Sequence, residues 1–88
     1  MPTRRVIIQN RLGVHARPAA LLVKEAARFR SEVFISKNGL EVNGKSIMGV
    51  MMLAAEQGSE IEIRVEGDDA AEALSALLVL IDSGFGED

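Results

Sequence analysis

Cysteine, tryptophan and tyrosine are absent from the 88 residues, and histidine occurs once. Without cysteine there is no disulfide framework, thiol nucleophile or thiolate metal site, and the chain sits most easily at a cytoplasmic address. A single imidazole excludes metal binding by clustered histidines, so no metal and no cofactor is expected. Aromatic residues make up only 3%, which removes the stacking platforms used on single-stranded nucleic acid. A net charge of −3 lacks the basic surface whose counterion release drives nucleic-acid binding, so no nucleic-acid partner is expected. No apolar run approaches the ~18 residues of a membrane span, the most tempting being Leu77 to Ile81. Val6-Ile7-Ile8, behind a basic start, falls short of the ~7 to 15 apolar residues of a signal-peptide core. Neither membrane insertion nor export is expected.

What is present suits a small folded protein. Hydrophobic residues reach 48% and charged ones 26%, well away from the composition of disordered chains. The length fills one core, so one domain over residues 1–88 is expected. Glu60 to Glu66 alternates polar and apolar strictly, placing Ile61, Ile63 and Val65 on one face of a strand. Arg5 to Gln9 and Glu32 to Lys37 are β-branched runs of strand length. Gly39 to Val42 returns against the second through Asn38-Gly39, a strong hairpin signal. Ala19, Leu22, Val23, Ala26 and Phe29 recur at helical spacing and predict a helix from about Ala16 to Phe29. Asp68 or Asp69 caps a last helix through Leu74, Leu77, Leu78 and Ile81, with Gly84 as its stop. Ser46 can cap a short helix between them, and the closing Gly86-Glu87-Asp88 reads as a frayed acidic end. The order is β-α-β-β-α-β-α. It predicts an α+β fold in which three helices cover one face of a four-stranded, largely antiparallel sheet.

The chemistry concentrates at Gly13-Val14-His15-Ala16-Arg17-Pro18-Ala19-Ala20. Proline is tolerated only in the first turn of a helix, so Pro18 puts His15 at the helix start or one residue outside it. Free N–H groups there, on Ala16 and Arg17, form an anion site with the positive end of the helix dipole. The same field favours a neutral, nucleophilic ring, and the Arg17 guanidinium can pair with phosphoryl oxygens. Spacing alone leaves two readings open, a capping or exposed histidine and a phosphoryl acceptor. A small hydrolase is disfavoured, because no carboxylate, serine or cysteine constellation accompanies the histidine.

This segment resembles the active-site signature of the HPr family, histidine phosphocarriers of the bacterial phosphoenolpyruvate-dependent phosphotransferase system. Gly44-Lys45-Ser46-Ile47-Met48-Gly49-Val50-Met51 is similar to that family's second signature, and the likeness covers nearly the whole chain. It implies an open-faced β-sandwich. It also implies that His15 takes a phosphoryl group from phosphorylated Enzyme I on Nδ1 and passes it to a histidine of a IIA protein or domain. Arg17 then contacts phosphate and partner. Such a protein is a stoichiometric phosphocarrier and not an enzyme, and a monomer is expected. Leu12 departs from the small polar residue common in sugar-transport members, and Asp82-Ser83-Gly84-Phe85 resembles the nitrogen-related paralogue.

Arg17, Leu21, Lys24 and Arg28 fall at i, i+4, i+7 and i+11 and, with Ala20, form a basic stripe. Such a stripe is either a solvated face or a docking face for acidic partners. Ile47, Met48 and Met51 crowd the short helix beyond what one face can bury, and methionine suits a surface that accepts several partners. Met52 and Val50 read better as core. Ser46 is a helix cap by its residue type. By resemblance it is also a target of HPr kinase/phosphorylase, and the alternative to the carrier is a regulatory binding module acting through Ser46.

Overall fold

A computed structural model describes residues 2–87. The elements run β1 (Thr3–Ile7), α1 (Ala16–Ala26), β2 (Glu32–Lys37), β3 (Leu40–Asn43), α2 (Ile47–Met52), β4 (Glu60–Glu66) and α3 (Ala70–Asp82), followed by a short turn over Gly84–Gly86. The strands form one sheet in the order β1-β4-β2-β3, and every neighbouring pair is antiparallel. This is the expected α+β arrangement. Ile61, Ile63 and Val65 of β4 are buried together with Val33 and Ile35 of β2, and the register sets Val33 opposite Val65 and Ile35 opposite Ile63. Ala19, Leu22 and Ala26 of α1 and Leu74, Leu77 and Ile81 of α3 belong to the same buried cluster. The opposite face is polar, where the Arg64 guanidinium stacks 4.3 Å from the Phe34 ring centroid and pairs with Glu41 at 3.0 Å. No helix among the described residues is long and apolar enough to cross a membrane.

The hairpin turn matches its sequence signal, with positive φ at both Asn38 (51°) and Gly39 (86°), the geometry that suits the twist of two strands. The first strand and the first helix have other bounds than the sequence reading gave them. The first strand begins at Thr3, because the Val65 N–H donates to Pro2 O and pairing is backbone business, indifferent to a polar Thr-Arg-Arg. It ends at Ile7, with Ile8 bonded instead to the 58–59 turn. The first helix stops at Ala26, since the N–H groups of Arg28 and Phe29 turn to Glu25 O and Ala26 O, a tightening common at helix ends.

Asp69 precedes α3 as expected, yet its carboxylate makes no cap bond to that helix. It accepts from the Arg30 and Ser31 N–H groups, each at 2.9 Å, and from Ser31 Oγ, fastening the α1–β2 turn to the start of α3. The Ser31 hydroxyl, then the Arg30 N–H, hold the Asp69 carboxyl at about 2 against the opposing effect of burial. A carboxyl below its unfolded value of 3.8 contributes stability that is complete above that value and lost as pH falls through 2. We therefore expect Asp69→Asn to flatten the acid limb of the unfolding curve between those limits. An acid titration of the two proteins that stays parallel would remove this clip from the account.

Candidate functional site

The loop from β1 to α1 is built to place His15. Gly13 N–H donates to Asn10 O at 3.1 Å, and the buried Asn10 returns Nδ2 to Gly13 O at 2.7 Å. Gly13 sits at φ +68°, where a Cβ would lie 2.4 Å from Ala55 O, so only glycine lets the two segments touch. Val14 N–H then donates to that same Ala55 O at 2.8 Å. His15 follows as the N-cap of α1 with extended backbone (φ −84°, ψ −166°), and its ring makes no cap bond. Its carbonyl accepts from Ala19 N–H. Pro18 fills the third helical position with no N–H to offer, so Ala16 and Arg17 carry the N–H groups that the helix leaves without intrahelical acceptors. The imidazole, 37% exposed, stands beside them.

The C-terminal segment closes over this ring and is not frayed through Glu87, contrary to the sequence reading; Asp88 lies outside the described residues. Gly84, Phe85 and Gly86 take φ of 66°, 58° and 72°, one left-handed turn. For phenylalanine this conformation costs about 1 to 2 kcal/mol, offset by burial of its ring, which is 1% exposed. The turn delivers Glu87 to His15, with Nε2 lying 3.2 and 3.1 Å from the two carboxylate oxygens. Asn10 Nδ2 donates to Glu87 Oε1 at 3.0 Å, and Arg17 Nη1 donates to Glu87 Oε2 at 3.1 Å and to Phe85 O at 3.3 Å. Burial pushes the Glu87 carboxyl up, but the hydrogen bonds from His15, Asn10 and Arg17 outweigh it and hold the group below the usual carboxylate range. Sequence reasoning passed over both Asn10 and Glu87. An acidic residue behind a Gly-Phe-Gly run is the only signal the second offers, and nothing local ties it to His15.

The predicted docking residues divide. Ala20 and Lys24 are exposed on α1, while Leu21 is half-buried against the core; Arg28, expected on the same helix, is exposed in the turn beyond it because α1 stops at Ala26. Arg28 pairs with Glu25 and lies 5.5 Å from the Phe29 centroid, and Arg17 turns onto the tail. On α2, Ile47, Met48 and Met51 are exposed and Val50 is buried. Met52 was expected in the core and is instead 65% exposed, because a helix this short turns only Val50 inward. Ser46 caps α2, its Oγ accepting from Gly49 N–H at 3.1 Å. A polar depression of about 560 Å³ on the open face of the sheet, among Arg5, Lys37, Glu60 and Glu62, includes none of the His15 site. The partly exposed His15 ring thus lies outside that depression.

Comparison with known proteins agrees with this fold. The family model for the PTS HPr component phosphorylation site matches residues 2–83. The phosphocarrier protein HPr of Treponema pallidum is 50% identical over 88 residues, covering 100% of both chains. A crystal structure of HPr from Thermoanaerobacter tengcongensis superposes with a TM-score of 0.96 at 46% identity, covering 100% of this chain and 99% of that one. An HPr dimer from the same bacterium matches with a TM-score of 0.80 at 47% identity, covering 99% and 100%. In sequence and in fold, this chain belongs to the HPr family of phosphocarrier proteins of the phosphotransferase system.

Proposed function

We propose that the protein accepts a phosphoryl group on His15 Nδ1 from phosphorylated Enzyme I, itself charged by phosphoenolpyruvate, and gives it to a histidine of a IIA protein or domain in the cytoplasm. The observation that carries this reading is the half-exposed imidazole at the start of α1, with Arg17 beside it on the same carboxylate. The Ala16 and Arg17 N–H groups and the Arg17 guanidinium supply the positive field that a phosphorylated ring needs. Exposed Ala20 and Lys24 of α1, Arg28 just beyond it, and Ile47, Met48 and Met51 of α2 form the docking face, with Leu21 as its half-buried base. Apolar side chains there bury against the partner, and basic ones steer an acidic surface. Phosphoenolpyruvate labelled in its phosphate, incubated with Enzyme I, should label the chain and then a IIA protein. A chain that stays unlabelled at stoichiometric Enzyme I ends the proposal. Parallel transfer to sugar-type and nitrogen-type IIA proteins assigns the branch that Asp82-Ser83-Gly84-Phe85 and Leu12 point to.

A second reading concerns Ser46, which is favoured by its place at the start of α2 directly before exposed Ile47 and Met48. A phosphate put there by an HPr kinase/phosphorylase adds roughly two negative charges at the docking face. Ser46→Asp imitates part of this and still caps the helix, so stability should stay within about 0.5 kcal/mol. The apparent KM for phosphorylation by Enzyme I should rise roughly 3- to 10-fold at low salt and recover partly at high salt, as exposed charges are screened. Unchanged kinetics at low salt would leave the serine as a cap alone.

A further inference from the structure

The tail carboxylate bears on which nitrogen of His15 reacts. An ionised carboxylate only accepts hydrogen bonds, and the Asn10 amide and the Arg17 guanidinium, both donating to Glu87, favour its ionised form. The ring nitrogen facing it, Nε2, must therefore be the one that carries hydrogen. In a neutral imidazole the lone pair then belongs to Nδ1. The Glu87 side chain is itself fixed, gripped by the buried Asn10 and presented by the left-handed Gly84–Gly86 turn whose phenylalanine is anchored in the core.

We propose that Glu87 is a positioning residue for phosphoryl transfer: it holds the Nε2–H of His15 so that Nδ1 presents the lone pair to phosphorus, and it holds Arg17 beside the ring for the incoming phosphoryl group. The Nδ1 lone pair attacks phosphorus and forms the N–P bond while the bond from phosphorus to the donor nitrogen breaks, its electron pair leaving with the donor. The proton on Nε2 stays in place, and the positive charge gained by the ring faces the Glu87 carboxylate. In the reverse step the electrons of the N–P bond return to Nδ1 as the group leaves, and the ring is neutral again. Part of this logic is that of the carboxylate that orients histidine in a serine protease triad. Here the group is partly exposed, 18% by side-chain area, so its effect is smaller.

The proposal deepens the carrier reading and rests on it for the protein donor, but its central claim is testable without Enzyme I. Phosphoramidate, a small donor, should phosphorylate the full-length protein at Nδ1, as read by NMR of the phosphohistidine. Glu87→Ala should divert a substantial share of the product to Nε2, the less hindered nitrogen once uncovered. Glu87→Gln keeps an oxygen that can accept from Nε2–H and should keep the Nδ1 product. With Enzyme I as donor, Glu87→Ala and Glu87→Gln should both lower kcat, on the order of tenfold, with KM little changed; the exposed Glu72→Ala should match the parent. Thermal unfolding of each variant separates these effects from misfolding. Nδ1 product and parent rates in Glu87→Ala would overturn the assignment, as would Nε2 product in the parent. If phosphoramidate gives the expected products but Enzyme I labels none of the proteins, the positioning role stands and the carrier reading fails.

Discussion

His15→Ala should carry no phosphate from Enzyme I while folding as the parent does, the largest functional effect expected of any single change. The ring is partly exposed, caps nothing and belongs to no apolar cluster, so its removal leaves the core untouched. The sequence holds no other imidazole, and transfer should fall to background rather than to a fraction. Thermal midpoints of parent and variant should agree within a few degrees, the loss of the contact with Glu87 being the only structural cost. Label resisting alkali and lost in acid, as phosphoramidate bonds behave, should appear on the parent alone. Equal label on the variant would move the acceptor to another residue and dissolve the reading of this site.

Gly13→Ala should be strongly destabilising. Two independent costs coincide there. The left-handed backbone at φ +68° penalises any Cβ by about 1 to 2 kcal/mol, and that Cβ would lie 2.4 Å from Ala55 O and 2.9 Å from Glu56 Cα. Both neighbours are backbone, so they yield only by displacing the segment that accepts the Val14 N–H bond. The sum is about 2 to 4 kcal/mol, or a fall in Tm of roughly 10 to 20 °C for a chain this short. Gly39→Ala provides the comparison, because its φ is +86° but nothing lies within 4 Å of the added carbon. It should cost only the conformational part. Equal losses in the two variants would show that the close approach to Ala55 contributes nothing. Displacement of this loop also moves His15, so Gly13→Ala should slow labelling beyond what its unfolded fraction explains.

The strands and helices were legible because their signals are local. Period-two burial in Ile61, Ile63 and Val65, the Asn38-Gly39 turn and the Pro18 position each depend on neighbours in the chain. His15 and Arg17 were legible for the same reason, standing in one motif at a helix start. Asn10 and Glu87 were not, since their meaning arises from contacts across 77 positions of sequence separation. Asp68 or Asp69 was expected to cap α3; Asp69 stands at that position, but its carboxylate bonds to a turn from another part of the chain instead of to the helix. Met52 failed because hydrophobicity was read as burial, a rule that runs in one direction only.

The sheet order β1-β4-β2-β3 has a consequence for the time course of folding. The β2–β3 hairpin closes across a two-residue turn and can form early, on the microsecond scale of isolated hairpins. The first strand waits, because its register partner for Thr3 is Arg64, and long loops are closed only against a large loss of chain entropy. On a ribosome, residues 10–17 therefore emerge long before they can take their final shape. They need Ala55 to clamp Gly13 and Glu87 to meet the imidazole, and both lie far downstream in the chain. A nascent chain that has not yet reached Glu87, or one cut before it, displays the histidine motif without the assembled site.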